Sequence, residues 1–253
     1  LALVLGFVAI GSLAAASQAL SGTPPTAPFT QCPAVGDDTA GCKLLIYVTD
    51  SGATVLNDTS EGPYDGSDDT LVGIVNDSST RLYSIALNGA GTDIFGFDGD
   101  GMCTEVTITG CPSSSSAPTY GYAGPGVTYT NIANSNETGV VNFAGGLAPM
   151  GGTAYFSLEE AISTVELGPT ASINEPKDDQ TFTPNESAPT SFSCADGSGG
   201  PGIASCDDNN GTSDTTNTYP ASGTLDTSTV GQHTYSVTAT SKDGQVGTAS
   251  VTY

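Results

Sequence analysis

The sequence predicts an all-β protein: two antiparallel β-sandwiches in tandem, preceded by a signal peptide. Three observations carry that reading. Trp is absent while Gly, Ser, Thr, Asn and Asp abound, a composition of short strands and many turns and not of long helices. Apolar runs, several of them alternating, recur between Gly/Asp/Asn/Pro turns from Lys43 to Leu158, and again beyond Gly168-Pro169 in a different rhythm. The six cysteines fall as three close pairs, each around a Gly/Asp/Ser-rich loop. A chain of 253 residues has room for two domains of ordinary size.

Residues 1–19 read as the signal peptide. Leu1 to Ala16 is apolar and uncharged, and Ser17-Gln18-Ala19 places small residues where signal peptidase needs them. The run is shorter than the ~20 apolar residues of a spanning helix; a buried core helix is the competing reading. With neither an initiator Met nor a basic segment ahead of it, the gene product is expected to begin further upstream. Residues 20–31, with Pro24, Pro25 and Pro28, read as an extended linker.

The first domain is placed at 32–167. Lys43 to Thr49 is apolar on both faces, which suits a central strand. Thr54–Leu56 follows a Ser51-Gly52 turn, and the acidic loop Glu61–Asp69 leads into Thr70–Val75. In Arg81–Leu87, Leu82, Ser84 and Ala86 alternate with Tyr83, Ile85 and Leu87 before the Asn88-Gly89 turn. Phe95-Gly-Phe-Asp-Gly-Asp-Gly-Met-Cys103 reads as a stapled turn with Phe95 and Phe97 on one strand face. Glu105–Thr109, Gly126–Ile132, Val140–Phe143 and Thr153–Leu158 complete the strands, and Leu158–Ser163 is the one helical turn expected. Glu159-Glu160 would be its acidic start.

The second domain is placed at 168–253. Its strands are expected at Ala171–Ile173, Thr181–Phe182, Thr190–Cys194, Gly223–Leu225, His233–Thr240 and Val246–Tyr253. In the longest of them His233, Tyr235, Val237 and Ala239 share a face. The chain stops inside strand-like sequence, so the protein is expected to continue past Tyr253.

Neighbour pairing of the cysteines, Cys32 with Cys42, Cys103 with Cys111 and Cys194 with Cys206, is favoured among the many connectivities because each pair brackets a turn between strand-like runs. Zinc is disfavoured because CxxC spacing is lacking and the sequence has a single histidine. Disulfides point to an exported protein. Charge narrows the partners: 4 basic against 27 acidic residues leave a formal net charge of −23. No basic footprint for nucleic acid or an anionic membrane can be assembled from that. Hard divalent cations are the natural counter-ligands.

Asp65, Asp68 and Asp69, with Asp98 and Asp100, are the candidate Ca²⁺ ligands, since Asp/Gly turns present carboxylates on short concave loops. The competing reading is two tight turns in which Asp caps its own backbone and Gly takes positive φ. No cofactor other than Ca²⁺ is suggested. Asp207-Asp208-Asn209-Asn210 is a weaker cation candidate, read first as a solvated loop. No catalytic residue is assigned: His233 is the single histidine, no Gly-x-Ser-x-Gly elbow occurs, and the cysteines are committed to disulfides. Tyr120, Tyr122 and Tyr129 lie in a Gly-rich stretch that can present rings to a sugar, or pack inside as strand aromatics usually do.

Residues 169–253 resemble bacterial extracellular immunoglobulin-like repeats. The matching phrases are Pro189 to Cys194, Gly200-Pro-Gly-Ile-Ala-Ser-Cys206, and Leu225 to Ala239 with Lys242-Asp-Gly244. The resemblance implies an Ig-like sandwich acting as a spacer or adhesive unit, with Tyr235 near the place of a tyrosine corner. Residues 42–163 are similar to a module of bacterial exported proteins, some with PEP-CTERM-type sorting tails. The similarity lies in Tyr64–Asn76, Phe95–Cys103, Gly121–Val127, Gly146–Pro149 and Tyr155–Glu159. It implies export and a β fold and adds no catalytic residue. Two functions follow as expectations: a secreted or cell-surface, non-enzymatic structural or adhesive module of a bacterium, or the accessory carbohydrate-binding region of a larger exported enzyme. The partner is an extracellular glycan or protein surface, with no nucleic acid and no membrane insertion once the signal is cleaved.

Overall fold

The structure is a computed structural model that describes residues 22–105, 107–111, 119, 121–215 and 220–253. The signal peptide expected at 1–19 lies outside the described residues, as does Tyr120. In chain order the first half holds β1 (Leu44–Thr49), β2 (Gly52–Asn57), β3 (Thr70–Asn76), β4 (Leu82–Asn88), α1 (Met102–Glu105), β5 (Val127–Ala133), β6 (Thr138–Leu147), β7 (Gly152–Leu158) and β8 (Glu166–Leu167). The second half holds β9 (Thr170–Glu175), β10 (Pro189–Ala195), β11 (Ile203–Asp208), β12 (Ser213–Asp214), β13 (Ala221–Thr224), β14 (Thr234–Ser241) and β15 (Val246–Thr252).

Each half is a pair of stacked sheets. In the first, β2-β1-β3-β7 faces β4-β6-β5, with β8 paired to β4. In the second, β13-β10-β9 faces β12-β11-β14-β15. Pairing is antiparallel except between β1 and β3, which run parallel with Leu44 opposite Val72. The β1–β2 hairpin takes one side of β1, and the long acidic loop after β2 carries the chain across to the other. That is the crossover a parallel pair requires.

The β1 sequence explains its central place. Leu44, Ile46 and Val48 point into the core between the sheets, where Val72, Ile74, Phe156 and Leu158 meet Ile85, Leu87 and Val141. Leu45 and Tyr47 point the other way, into a second apolar cluster with Phe29, Cys42, Tyr64, Leu71, Val75 and Met102. The outer face of this sheet is therefore covered by a third layer, built from the Phe29–Cys42 segment, the Tyr64 loop and α1. Gly73 of β3 is what lets that layer close down, because a Cβ there would sit 2.5 Å from Cys42 Sγ. The linker expected over 20–31 is shorter in the fold: Phe29 is buried and bridges to Cys42, since an aromatic side chain next to an apolar sheet face gains more from packing than from solvent.

Other expectations need correcting. Leu158–Ser163 is not helical; β7 runs to Leu158 and Glu160 turns at φ 75°. The helical turn lies instead at α1, inside the Cys103 loop. Residues 107–109 form no strand, and Ile108 packs onto the outer cluster. Phe95 and Phe97 are core residues but stand in a loop. Thr181–Phe182 is not a strand either. In β4 a bulge between Leu82 and Ser84 shifts the alternation, so that Leu82, Ile85 and Leu87 all reach the core. The three disulfides join Cys32–Cys42, Cys103–Cys111 and Cys194–Cys206. The last ties β10 to β11, and so one sheet of the second sandwich to the other.

The halves are joined by more than a linker. Ala249 of β15 pairs with Leu82 of β4, so one sheet passes through both sandwiches. Gly168 N–H donates to Ala86 O at 2.7 Å, Leu167 N–H to Ser198 O at 3.3 Å, and Ser198 N–H to Ala53 O at 3.2 Å.

Candidate functional site

Three loops at one end of the first sandwich bring the acidic residues together. The loop before β3 carries Asp65, Asp68 and Asp69, the loop after β4 carries Asp98 and Asp100, and Glu159 follows β7. Asp98, Asp100 and Glu159 share one point, the hydroxyl of Tyr122. It lies 2.7 Å from Asp100 Oδ1, 2.7 Å from Glu159 Oε2 and 3.2 Å from Asp98 Oδ1.

Packing fixes that hydroxyl in place. The Tyr122 side chain is wholly buried and packs against Phe97, with ring centroids 4.4 Å apart and the planes tilted by 38°. Its carbonyl accepts from Ser157 N–H at 2.8 Å and from Tyr129 Oη at 2.9 Å. On the other side Gly101 touches Gly121, where a Cβ would fall 2.5 Å from the Gly121 carbonyl carbon. The Cys103 N–H donates to Gly121 O at 2.9 Å. The disulfide-bearing turn is thus pressed onto the residue that gathers the carboxylates.

Asp69 is the buried member, 1 % exposed. Its Oδ2 accepts from Tyr64 Oη at 2.5 Å, and its Oδ1 has no hydrogen-bond partner. Burial, opposed by the Tyr64 hydrogen bond and reinforced by the charges of Glu159, Asp100 and Asp65, pushes its carboxyl up to about 8. Glu159 is also raised, by burial first and then by Asp98, Asp100 and Asp68 against the Tyr122 hydrogen bond. Burial and the hydrogen bonds to Asp100 and Glu159 raise Tyr122, which therefore keeps its proton.

Of the expected ligands, Asp98 and Asp100 converge on the Tyr122 hydroxyl, Asp69 accepts from Tyr64 instead, and Asp65 caps its own loop. Asp65 Oδ1 accepts the N–H groups of Ser67, Asp68 and Asp69 at 3.0–3.1 Å, which is the turn-capping role. Asp68 is exposed. The residues missed are Glu159, which looked like a helix start, and the organising Tyr122. Among the described residues no three carboxylate, thiolate or imidazole groups stand in a metal-holding arrangement. Asp207–Asn210 makes no cation loop: Asp208 accepts from Tyr235 Oη at 3.0 Å and from the N–H groups of Asn210 and Thr212. Tyr235 thus anchors to a side chain and not to upstream backbone.

The sugar platform is also corrected. Tyr122 is buried, and Tyr129 packs on Phe95, Phe97 and Phe156 with its hydroxyl on two backbone carbonyls. Apolar rings next to a sandwich core pack inward. His233 stacks on Tyr253 at 5.4 Å and contacts the Thr229 carbonyl. A separate groove of about 570 Å³ runs between the β4–β6–β5 face and the β14–β15 turn; it is lined by Asn88, Asn131, Asn134, Asn142, Thr130 and Gln245 among others, with no aromatic ring.

These carboxyl groups set a pH dependence. Asp38, wholly buried, is pushed up to about 7 by burial first and by neighbouring Glu61 next, with the Gly62 backbone and Lys43 pulling it down. Asp69 and Asp38 hold protons in the folded state that they release near 3.8 when unfolded. Their contribution is complete below that value and is lost as pH rises through 7 and 8. Asp58, lowered by its Ser60 hydrogen bonds, works oppositely, and its contribution is lost in acid. The thermal midpoint in EDTA buffer is therefore expected to fall steadily from about pH 5 to pH 9; a midpoint that stays flat or rises over that range contradicts the assignment.

No family model matches the chain, and no curated protein matches it. Among solved structures it is similar to the fibronectin(III)-like modules of Clostridium thermocellum CbhA, at 14% identity over 87% of this chain and 89% of that one, with a TM-score of 0.29. That likeness is too slight to argue from. Among the described residues no helix is long and apolar enough to cross a membrane.

Proposed function

We propose that this chain is a non-enzymatic structural or adhesive module, displayed on the cell surface or secreted, whose two sandwiches act as one stiff unit. The carrying observation is the sheet that passes from β4 to β15 through the Leu82–Ala249 pair. A spacer must keep its length under load, and a shared sheet braced by backbone hydrogen bonds resists hinge motion where a bare linker does not. Three disulfides and strong negative charge suit an oxidising, extracellular setting. Calorimetry of the full chain is expected to give one cooperative transition. Gly197→Val should split it into two, because a Cβ at Gly197 would lie 2.0 Å from the Leu167 carbonyl oxygen at the junction. Two independent transitions in the unaltered chain contradict the stiff-unit reading.

The groove favours a second reading, the accessory carbohydrate-binding region. Amides and hydroxyls on a concave face suit a neutral polyhydroxylated ligand, and a glycan array with Asn131→Ala as the control variant separates it from a plain spacer.

A further inference from the structure

We propose that Asn210-Gly211, at the tip of the β11–β12 turn, is a site of spontaneous deamidation, while the fold protects the chain's other Asn-Gly pair, Asn88-Gly89. The reaction needs only water. The Gly211 amide nitrogen attacks the Asn210 side-chain carbonyl carbon. A new C–N bond closes a five-membered succinimide, and the side-chain nitrogen leaves as ammonia with the Gly211 proton. Water then opens the ring at either carbonyl. The product is aspartate or, with the main chain rerouted through the side chain, isoaspartate. Glycine favours the closure because no Cβ obstructs the approach and its backbone turns freely.

The dipeptide is the same in both places, and the geometry separates them. Asn88 is held at both ends of its amide: Nδ2 donates to Glu166 Oε2 at 3.0 Å, and Oδ1 accepts from Ala90 N–H at 2.9 Å. The attacking nitrogen is held too, since Gly89 N–H donates to Glu137 O at 2.9 Å. Three hydrogen bonds must break before that ring can close.

Little of that restraint recurs at residue 210. Asn210 and Gly211 are exposed. Gly211 stands at φ 90° with nothing within 4 Å of where a Cβ would lie. Among the described residues its N–H meets no backbone acceptor. The Asn210 amide donates to Thr224 O at 3.4 Å, longer than the usual range for such a bond. The flanks are fixed instead. Asp208 N–H donates to Thr212 O at 2.9 Å, and Asp208 Oδ1 accepts from Asn210 N–H at 3.0 Å and Thr212 N–H at 2.6 Å. A loose tip on a clamped turn lets the side chain and the Gly211 amide meet without opening the β11–β12 pairing.

The product reaches the core through that clamp, because Asp208 Oδ2 accepts from the buried Tyr235 hydroxyl at 3.0 Å. Isoaspartate lengthens the main chain between the two N–H groups that Asp208 holds. Either product sets a new carboxylate beside Asp207 and Asp208, where like charges repel.

The test follows the full chain during incubation at neutral pH, folded and, in parallel, in guanidinium chloride. Mass spectrometry of the peptides bearing residues 88 and 210 measures conversion, with electron-based fragmentation to separate isoaspartate from aspartate. In the folded chain Asn210 is expected to convert about tenfold faster than Asn88, or more. In guanidinium chloride, where the fold no longer acts, the two rates should converge. Folded protein aged to full conversion should melt about 5 °C below fresh protein, and Asn210→Ser, which cannot form the ring, should keep its midpoint on ageing. Equal rates at the two sites in the folded chain overturn the proposal, as does an Asn210 that stays intact when folded and converts only in guanidinium chloride. An unchanged midpoint after conversion overturns the reach of the turn into the core.

Discussion

Truncating Phe156 to alanine is expected to cost the first sandwich about 3–5 kcal/mol. Phe156 is fully buried at the middle of β7, between the two sheets, and meets Tyr129 edge-on at 6.3 Å. Tyr129 in turn packs on Phe95 and Phe97, and Phe97 on Tyr122. One ring therefore supports the whole aromatic stack beneath the carboxylates. The cavity it leaves is lined by β-sheet backbone held in register by β3 on its flank, so the site cannot easily collapse. The residue after it, Ser157, donates its N–H to the Tyr122 carbonyl. Loss of the ring should thus also loosen the acidic pocket. Urea unfolding measures the cost; a change under about 1 kcal/mol would mean that the stack is not a load path.

What the sequence disclosed, and what it hid, divides along the range of the interactions involved. The doubly apolar run in β1 and the alternation of Tyr235, Val237 and Ala239 in β14 are local patterns, and both strands sit where those patterns place them. The disulfides were legible for the same reason, each closing a loop between near neighbours. Strand direction leaves no trace in periodicity, so the parallel β1–β3 pair was hidden. The bulge in β4 was hidden too, because one inserted residue changes which face Leu82 and Ile85 share without altering composition. β11 lacks the β-branched or aromatic run that marks a strand, and it forms because Cys206 and the β14 ladder hold it. In the acidic pocket Asp98 and Asp100 were visible as a Gly/Asp turn. Glu159 was not, since its neighbour Glu160 suggested a helix that a positive φ forbids. Convergence on Tyr122 is tertiary, and no spacing rule contains it.

Replacing both Cys194 and Cys206 with alanine is expected to lower the stability of the second sandwich by about 3 kcal/mol, on chain-entropy grounds for a closed loop of this size. The separation is 12 residues, and both half-cystines are buried in the core with Phe192, Tyr235 and Val237. The bond joins β10 to β11, which lie in different sheets with no strand pairing between them. Its loss therefore frees the two layers from each other in the unfolded chain and removes core volume in the folded one. A midpoint drop on the order of 10–20 °C follows for a unit of this size. Because β15 of that unit pairs with β4, the junction should weaken with it, and the single transition should begin to separate at the second sandwich. The Cys103–Cys111 pair provides the contrast. Its span is 8 residues, so its entropic gain is smaller, but it secures the turn that presses Gly101 against Gly121. Removing it should cost less stability than removing Cys194–Cys206. A cost for the short disulfide equal to or above that of Cys194–Cys206 would mean that loop length does not set the difference between them.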